Sequence, residues 1–238
     1  MTELQRIIDR SKHIGFFGGA GVSTASGIPD FRGADGLYTQ EFGGLSPEEL
    51  LTDTTLYFRP ALFFDFYRRH MLYPDAKPNA AHRKLAEIEK AGRLSGVVTQ
   101  NIDGLHRLSG SVNLFELHGS VRRNYCMECG EEYSLDWLLK TEGIPRCGCG
   151  GIVRPDVTLY GEAPNKYVMM GAHREISHSD TLIVAGTSLT VEPAASCLDY
   201  FHGRDLVIIN KTPTPADARA TLVLREDIAK VMGEIEIG

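Results

Sequence analysis

The sequence of 238 residues lacks the features that define several whole classes of protein. It has no stretch of about 18 uninterrupted apolar residues, so we expect no segment that spans a membrane and no membrane partner. Its first residues, 1–6, have neither the basic start nor the apolar stretch of a signal peptide, and we therefore expect a cytoplasmic protein. No internal repeat or low-complexity tract is visible, which excludes a repeat architecture.

Basic residues are in deficit, because 25 lysines and arginines stand against 31 aspartates and glutamates and the formal net charge is −6. An acidic chain is poorly suited to hold a phosphate backbone through bulk charge, so we expect no direct contact with nucleic acid. Hydrophobic residues make up 42% of the chain and charged residues 24%, which excludes disordered, collagen-like and coiled-coil proteins. We expect a globular monomer.

Cysteines are few, and four of the five lie between positions 126 and 149. In a chain without an export signal, clustered cysteines favour a metal site over disulfides. Cys126 and Cys129 are followed, after 17 residues, by Cys147 and Cys149, which matches a zinc ribbon except that the second pair is one residue short. Four thiolates would close the coordination shell, so we predict a structural zinc ion, with a redox pair or free thiols as alternatives. Cys197 has no partner in sequence and is interpreted as a buried small residue.

Short apolar runs alternate with amphipathic segments along most of the chain. Each run is followed by a polar or glycine-bearing turn, and several runs are apolar on both faces, as the strands of a covered parallel sheet are. Helices are predicted to begin near Thr2, Pro78-Asn79 and Asp227. This alternation predicts an α/β fold with a doubly wound, parallel, Rossmann-like sheet. The predicted strands are 14–17, 96–99, 113–117, 181–185, 205–209 and 220–224.

Two segments interrupt the alternation and predict a second, smaller lobe. Residues 33–75 contain a helix, 60–67, that is apolar almost all round and is therefore buried or lines a groove. Residues 120–158 hold the cysteine cluster. We expect these two insertions to form a helical and zinc-ribbon lobe. The Rossmann-like domain would then consist of residues 1–32, 76–119 and 159–238.

Polar turns follow the predicted strands, and in an open parallel sheet such turns meet in one crevice. The first turn, 18–27, is rich in glycine, which lets the backbone approach a ligand, and a helix N-terminus after it would attract phosphate. It departs from the dinucleotide fingerprint, because Thr24 stands where a third glycine or alanine is expected and no acidic residue follows about 20 positions later. The other turns carry Gln100-Asn101-Ile102-Asp103, His118, Gly186-Thr187-Ser188 and Asn210.

His118 is the best candidate for acid–base chemistry in this crevice. It ends an apolar strand, and an imidazole with a pKa near ~6.5 exchanges a proton at neutral pH. A lone histidine at a strand end is more often structural, but Asn101 and Asp103 are expected beside it. His82 and His106 lack such neighbours and are interpreted as helix-surface or packing residues.

These motifs follow one order over nearly the whole chain. They run from GAGVSTASGIPDFR at 19–32 through TQNIDGLH at 99–106, ELHG at 116–119 and the cysteine module to RPDV at 154–157, GE at 161–162 and GTSL at 186–189. In that order they resemble the sirtuin family of NAD-dependent protein deacylases, in its bacterial form. The resemblance implies that NAD is cleaved and that the acyl group of a protein lysine passes to ADP-ribose. The implied products are nicotinamide and O-acyl-ADP-ribose.

The resemblance also implies roles for individual positions. His118 would be the general base, and Asn101 would contact the ribose as the second catalytic residue. Ile102 and Asp103 would form the nicotinamide pocket. The other NAD-binding residues would be Ala20, Thr24, Phe31, Arg32, Gln100, Thr187, Ser188, Asn210 and Ile228.

An acylated lysine in an extended peptide would bind between 157–162 and 189–193 by adding a strand through backbone hydrogen bonds. Family members that prefer acidic acyl groups carry a tyrosine with an arginine three residues on. Here Tyr67 is followed at that spacing by His70, which favours acetyl and other neutral acyl groups. The substrate-binding residues would be Val157, Tyr160, Gly161, Glu162 and Val191.

Two alternatives to a deacylase remain open. One is ADP-ribosyl transfer to protein by the same site, and the other is a zinc-ribbon adaptor that only senses NAD.

Overall fold

The computed structural model describes residues 1–30 and 42–237. Phe31 and Arg32, which the resemblance assigns to the NAD pocket, lie outside the described residues. Within the described part of the chain, no helix is both long and apolar enough to cross a membrane.

The strands divide into a six-stranded parallel sheet and a three-stranded antiparallel sheet. The larger sheet contains all six predicted strands, each within two residues of its predicted bounds. The fold class predicted from the sequence is therefore confirmed. The strands are β1 (Ile14–Gly18), β2 (Leu94–Thr99), β3 (Leu114–Glu116), β4 (Gly119–Cys126), β5 (Glu132–Ser134), β6 (Val153–Val157), β7 (Thr181–Ala185), β8 (Asp205–Ile209) and β9 (Leu222–Leu224).

The order of strands in the large sheet is β3-β2-β1-β7-β8-β9, and every neighbouring pair is parallel. The chain builds the sheet outwards from β1 in one direction and then from β7 in the other. The sheet therefore changes direction between β1 and β7, and in open α/β sheets a ligand crevice lies at the carboxyl ends of the strands at such a point. The helices are α1 (Glu3–Arg10), α2 (Pro47–Leu50), α3 (Asp53–Phe58), α4 (Pro60–His70), α5 (Ala80–Lys90), α6 (Leu105–Leu108), α7 (Leu135–Leu139), α8 (Lys166–His178) and α9 (Ile228–Gly233).

Both faces of the large sheet are covered, which explains why its strands read as continuous apolar runs. Successive side chains of a strand point to opposite faces. In β1, Phe16 belongs to a hydrophobic cluster with α1, α5 and α9, whereas Phe17 belongs to a second cluster with α8. Both phenylalanines are fully buried.

Three helices of the large lobe begin where the sequence predicts. The side chain of Thr2 accepts a hydrogen bond from the Gln5 amide at 3.1 Å, which caps α1. Asn79 caps α5, and Asp227 caps α9, each by accepting from the amide two residues on at 2.9 Å. Such caps satisfy backbone amides that have no partner within the helix.

The smaller lobe combines the three-stranded sheet, in the order β5-β4-β6, with helices α2, α3, α4 and α7. Helix α4 runs three residues beyond its predicted end, and its Phe63, Phe64 and Tyr67 are fully buried. These side chains share one hydrophobic cluster with Val121 of β4 and Val157 of β6. Side chains from both predicted insertions therefore pack together in one hydrophobic cluster.

Candidate active site at the carboxyl ends of the parallel strands

A cavity of about 520 Å³ opens at the carboxyl ends of β1, β2, β7 and β8. The first residues after these strands, Gly19, Gln100, Gly186 and Asn210, all lie in its wall. The cavity therefore occupies the crevice that the strand order predicts. Residues singled out from the sequence that also line it are Ala20, Thr24, Asn101, Ile102, His118, Val157, Tyr160, Gly161, Glu162, Thr187, Ser188, Val191 and Ile228.

The glycine-rich turn after β1 packs against the turn after β7. A Cβ atom on Gly19 would lie 2.8 Å from the carbonyl oxygen of Gly186, and one on Gly21 would lie 2.7 Å from its Cα atom. Gly186 itself has a φ of +59°, and a Cβ there would meet the backbone of Val22 at 2.5 Å. The glycines are therefore required by the close approach of two backbone turns, in addition to any ligand.

The expectation of a helix N-terminus directly after this turn is wrong for the described residues. Ala20–Val22 and Thr24–Ser26 each form a short 3-10 turn, and Gly27 follows in the left-handed region with a φ of +83°. A turn of three residues provides no aligned row of free amides of the kind that binds phosphate at the start of a long helix. The turn therefore lacks the helix N-terminus that the sequence was expected to offer a phosphate.

Asp103 does not line the cavity but lies directly behind Asn101. Its Oδ2 atom accepts a hydrogen bond from the Ser23 hydroxyl at 2.6 Å, and the Asn101 amide donates to the same hydroxyl oxygen at 3.1 Å. Burial raises the pKa of Asp103, although the hydrogen bonds from Ser23 and from the Leu105 amide oppose that rise. This network ties the turn after β1 to the turn after β2. Sequence reasoning missed Ser23, whose only signal was its place inside the glycine-rich motif.

His118 lies between β3 and β4, in the wall of the cavity. Its Nδ1 atom is 2.9 Å from the carbonyl oxygen of Gln100. A carbonyl only accepts, so Nδ1 carries the proton, and in the neutral imidazole Nε2 is the basic atom. Burial lowers the pKa of His118, and the hydrogen bond to Gln100 only partly offsets this. The ring is therefore neutral at pH 7 and able to take a proton from a hydroxyl group in the cavity.

The residue after His118 is a glycine for a steric reason. Gly119 has a φ of +77°, and a Cβ on it would lie 2.0 Å from the carbonyl oxygen of Asp156. The amide of Thr158 donates to the His118 carbonyl at 3.0 Å. These contacts fix the backbone of His118 against the segment that begins at Val157, which also lines the cavity.

The turns after β2 and β7 are joined by a hydrogen bond across the cavity floor. The Gln100 side-chain amide donates to the Thr187 hydroxyl at 3.0 Å, and the Leu189 amide donates to the same oxygen at 3.1 Å. At the far end of the cavity, Lys211 forms an ion pair with Asp227 at 3.0 Å, beside Asn210. Lys211 is a cationic group that the sequence motifs did not single out.

The opposite end of the cavity is apolar and belongs to the smaller lobe. Leu51, Tyr67 and Met71 line it, and the buried hydroxyl of Tyr67 has no hydrogen-bond partner among the described residues. Burial raises the pKa of this phenol, so it is a neutral donor. His70 does not line this end, because its ring packs against the rings of Phe42 and Phe66 at 4.4 and 4.9 Å.

His82 and His106 are packing residues, which is one of the two interpretations that the sequence left open. Both are fully or almost fully buried, and their ring centroids are 4.6 Å apart. Burial lowers the pKa of His82 to about 4, and it lowers the pKa of His106 as well. These two imidazoles are therefore neutral members of the core behind the cavity.

The four clustered cysteines lie together at one end of the smaller sheet. All four Sγ atoms lie within 4.8 Å of one another, and three of the contacts are 3.5 Å. A disulfide needs a separation near 2.05 Å, so none of these cysteines is paired. Tetrahedral zinc with Zn–S bonds of about 2.3 Å places sulfurs about 3.8 Å apart, which this cluster fits. Cys126, Cys129, Cys147 and Cys149 thus form a complete set of ligands for structural zinc, and Cys197 is buried elsewhere, as expected.

Comparison of the sequence with known proteins finds relatives that match nearly the whole chain. Residues 19–193 match the Sir2 family. An NAD-dependent protein deacetylase of Clostridium perfringens is 50% identical over 238 residues, which cover 99% of this chain and 98% of the relative. A protein of the same description from Clostridium acetobutylicum is 51% identical over 235 residues, with 98% and 96% coverage.

Solved structures of similar proteins include bound states. A complex described as Sir2 with a p53 peptide and NAD+ has a TM-score of 0.86 and 35% identity, and covers 98% of this chain and 95% of that chain. A Sir2 variant with a deacetylated p53 peptide and 3'-O-acetyl-ADP-ribose has a TM-score of 0.88 and 34% identity, with 97% and 94% coverage.

Proposed function

The chain belongs to the Sir2 family, and from that premise we propose that it removes acyl groups from protein lysine side chains with consumption of NAD. The products are nicotinamide and O-acyl-ADP-ribose, the acetyl form of which is bound in one of the similar structures. The observation that carries the proposal is the placement of His118, whose partly buried imidazole lies in the wall of the cavity with its Nδ1 proton held by the Gln100 carbonyl.

We propose that NAD binds along the cavity from Asn210 to Ile102. The residues that would hold it are Ala20, Thr24, Gln100, Asn101, Ile102, Thr187, Ser188, Asn210 and Ile228, together with Asp103 behind the wall and with Phe31 and Arg32. The group fits the site, because the donors and acceptors at the carboxyl ends of four parallel strands converge there. Bound NAD supplies the ribose carbon that accepts the acyl oxygen when nicotinamide leaves.

His118 has a defined task in this reaction. Since Nδ1 donates to Gln100, Nε2 is the atom that accepts a proton from a ribose hydroxyl. The lowered pKa keeps the ring neutral and ready at pH 7. Asn101, held by the Ser23 hydroxyl, would orient the ribose beside the imidazole. Proton transfer by a positioned base contributes about 10²–10⁴-fold to a rate.

We propose that the acylated lysine enters between 157–162 and Val191. Val157, Tyr160, Gly161, Glu162 and Val191 all line the cavity. Strand addition uses backbone groups, so it places few demands on the peptide sequence. The acyl group would reach the apolar end formed by Leu51, Tyr67 and Met71. That end has no cationic side chain among its described residues, and His70 packs elsewhere, which supports acetyl and other neutral acyl groups.

The division of the chain follows the same scheme. We propose that residues 1–32, 76–119 and 159–238 form the NAD-binding domain, and that 33–75 and 120–158 form the small domain. The zinc ion would hold the small domain together, because four thiolates leave no open position for chemistry. We also propose a cytoplasmic monomer that contacts neither nucleic acid nor membrane, which the net charge of −6 supports for nucleic acid.

The direct test is nicotinamide release by the purified chain with NAD and either an acetylated or an unmodified lysine peptide. We expect release only with the acetylated peptide, and mass spectrometry should show loss of acetyl from the peptide in equal amount to O-acetyl-ADP-ribose. Gain of ADP-ribose on the peptide, without acetyl loss, would instead show ADP-ribosyl transfer. Absence of nicotinamide release with either peptide would contradict the proposed function.

A further inference from the structure

A buried ion pair lies beneath the segment that is proposed to hold the substrate peptide. Arg154, in β6, is only 6% exposed, and its two terminal nitrogens contact the two carboxylate oxygens of Glu162 at 2.5 and 2.8 Å. A bidentate pair of this kind fixes both the distance and the relative orientation of two side chains. Neither the sequence motifs nor the comparisons give Arg154 a task.

The pair also binds the backbone between its two members. Arg154 Nη2 donates to the carbonyl of Val157 at 2.9 Å, and Glu162 Oε2 accepts from the amide of Leu159 at 2.9 Å. The Arg154 guanidinium lies over the ring of Tyr125, 5.8 Å from its centroid. The pair therefore fixes the backbone path of residues 157–162, a segment that lines the cavity.

We propose that Arg154 is a positioning residue for the peptide substrate and acts through Glu162. Strand addition requires the receiving backbone to be held extended before the peptide arrives, and the ion pair holds one carbonyl and one amide of that backbone. Arg154 does not line the cavity, so it affects the reaction only by shaping this segment. This inference rests on the proposed deacylase function.

The neighbouring strand supplies a matched control. Arg123, in β4, pairs with Glu116 at 2.7 Å and with Asp156 at 2.8 Å, but it is half exposed and lines no part of the cavity. Its ion pairs join β4 to β3 of the large sheet and to β6 of the small sheet, and none of them contacts the backbone of 157–162. Loss of Arg123 therefore tests the effect of removing ion pairs from β4, without the effect on the peptide segment.

The experiment measures KM for an acetylated peptide and KM for NAD separately, each with the other substrate saturating, in the full zinc-loaded chain. In Arg154→Met and Glu162→Gln we expect KM for peptide to rise about tenfold, which corresponds to one or two weakened backbone hydrogen bonds at about 1 kcal/mol each. KM for NAD should change less than about twofold, as should both constants in Arg123→Met. Arg154→Lys keeps the charge but loses the two-pronged guanidinium contact with Glu162. Its KM for peptide should therefore lie between those of Arg154→Met and the unchanged chain.

Two further measurements make the result decisive. The double variant Arg154→Met/Glu162→Gln should raise KM for peptide no further than either single change, since the two residues act as one unit. Glu162→Gln keeps the shape of the side chain and gives the answer even if Arg154→Met does not fold. Unchanged KM for peptide in the folded variants, or equal rises in both constants, overturns the positioning role while leaving the deacylase function in place. Inactivity of the unchanged chain would instead contradict the function itself.

Discussion

The two sheets of this molecule are stabilised by different means. The six-stranded sheet is buried on both faces by two large hydrophobic clusters, and its core positions are aliphatic or aromatic. At the cysteine end of the three-stranded sheet, the buried cluster comprises only Cys126, Cys147 and Val153, with Tyr133 and Trp137 against it. Where apolar side chains are too few to form a core, a metal cluster replaces them. The cavity takes residues from both lobes, so activity depends on both kinds of stabilisation.

Zinc removal should have the largest effect on stability, and the difference between the two sheets predicts that it acts on the small lobe. Structural zinc contributes about 10–16 kcal/mol to the folding of small metal-held units at pH 7. Chelation or Cys129→Ser should therefore unfold the cysteine end of the small lobe. Trp137, the single tryptophan, packs against Tyr133 there, with ring centroids 4.1 Å apart, so its fluorescence reports on this lobe.

The control for zinc removal is Cys197→Ala, which changes a buried cysteine in the cluster covering one face of the large sheet. Its metal content, measured by elemental analysis, should stay at about one ion per chain, as in the unchanged protein. A chain that contains no metal would contradict the zinc assignment, as would Trp137 emission that does not change when a strong chelator is added.

Acidification should instead act on the large lobe, through His82 and His106. The unfolded chain has ordinary imidazole pKa values near ~6.5, whereas burial lowers the pKa of His82 to about 4. The stability that comes from a neutral His82 is complete above pH ~6.5 and is lost as pH falls towards 4, by up to about 3 kcal/mol. Urea unfolding followed by far-ultraviolet circular dichroism at pH 7 and pH 4.5 would measure this loss.

The variant His106→Leu separates the contribution of this histidine to the loss of stability at low pH from the contribution of the carboxylates. Both ring nitrogens of His106 are buried without a hydrogen-bond partner in the part of the chain that the structure describes, so leucine removes no hydrogen bond seen there. Its unfolding free energy should fall less between the two pH values than that of the unchanged chain. Equal losses in the two proteins would show that His106 does not contribute to the pH dependence of stability.

The smallest effect on stability is expected from removal of one helix N-cap in each lobe. Thr2 caps α1 in the large lobe, and Ser134 caps α7 in the small lobe, each by accepting a backbone amide three residues on. Thr2→Ala and Ser134→Ala should each cost about 1 kcal/mol. Only Ser134→Ala should move the unfolding midpoint reported by Trp137 fluorescence if the lobes unfold separately. Equal shifts for both variants would show a single cooperative unit.

The sequence predicted those features that depend on local pattern. The covered strands were recognisable because residues such as Phe16 and Phe17 are apolar at successive positions, and the caps Thr2 and Asp227 stand directly before amphipathic runs. His118 and Asn101 could be placed in one crevice because carboxyl ends of parallel strands share an edge.

Features that depend on contacts between distant segments could not be predicted. The glycines at 19, 21 and 186 pack against one another, and only the strand order β1-β7 brings them together. Ser23 joins Asn101 and Asp103 across about 80 positions, which no local spacing indicates. Burial of His82 and His106 depends on the packing of α5 against α6, so residue type alone could not decide between a helix surface and the core.

The most direct measurement compares NAD-dependent deacetylation by the unchanged chain and by His118→Ala, with thermal unfolding and Trp137 fluorescence recorded for both. Because alanine keeps the backbone hydrogen bond from Thr158 and loses only the imidazole contact with the Gln100 carbonyl, both proteins should fold alike. The account predicts that kcat falls by about 10²–10⁴-fold in the variant, the contribution of a positioned general base. A folded His118→Ala protein that retains kcat within about twofold of the unchanged chain would contradict it.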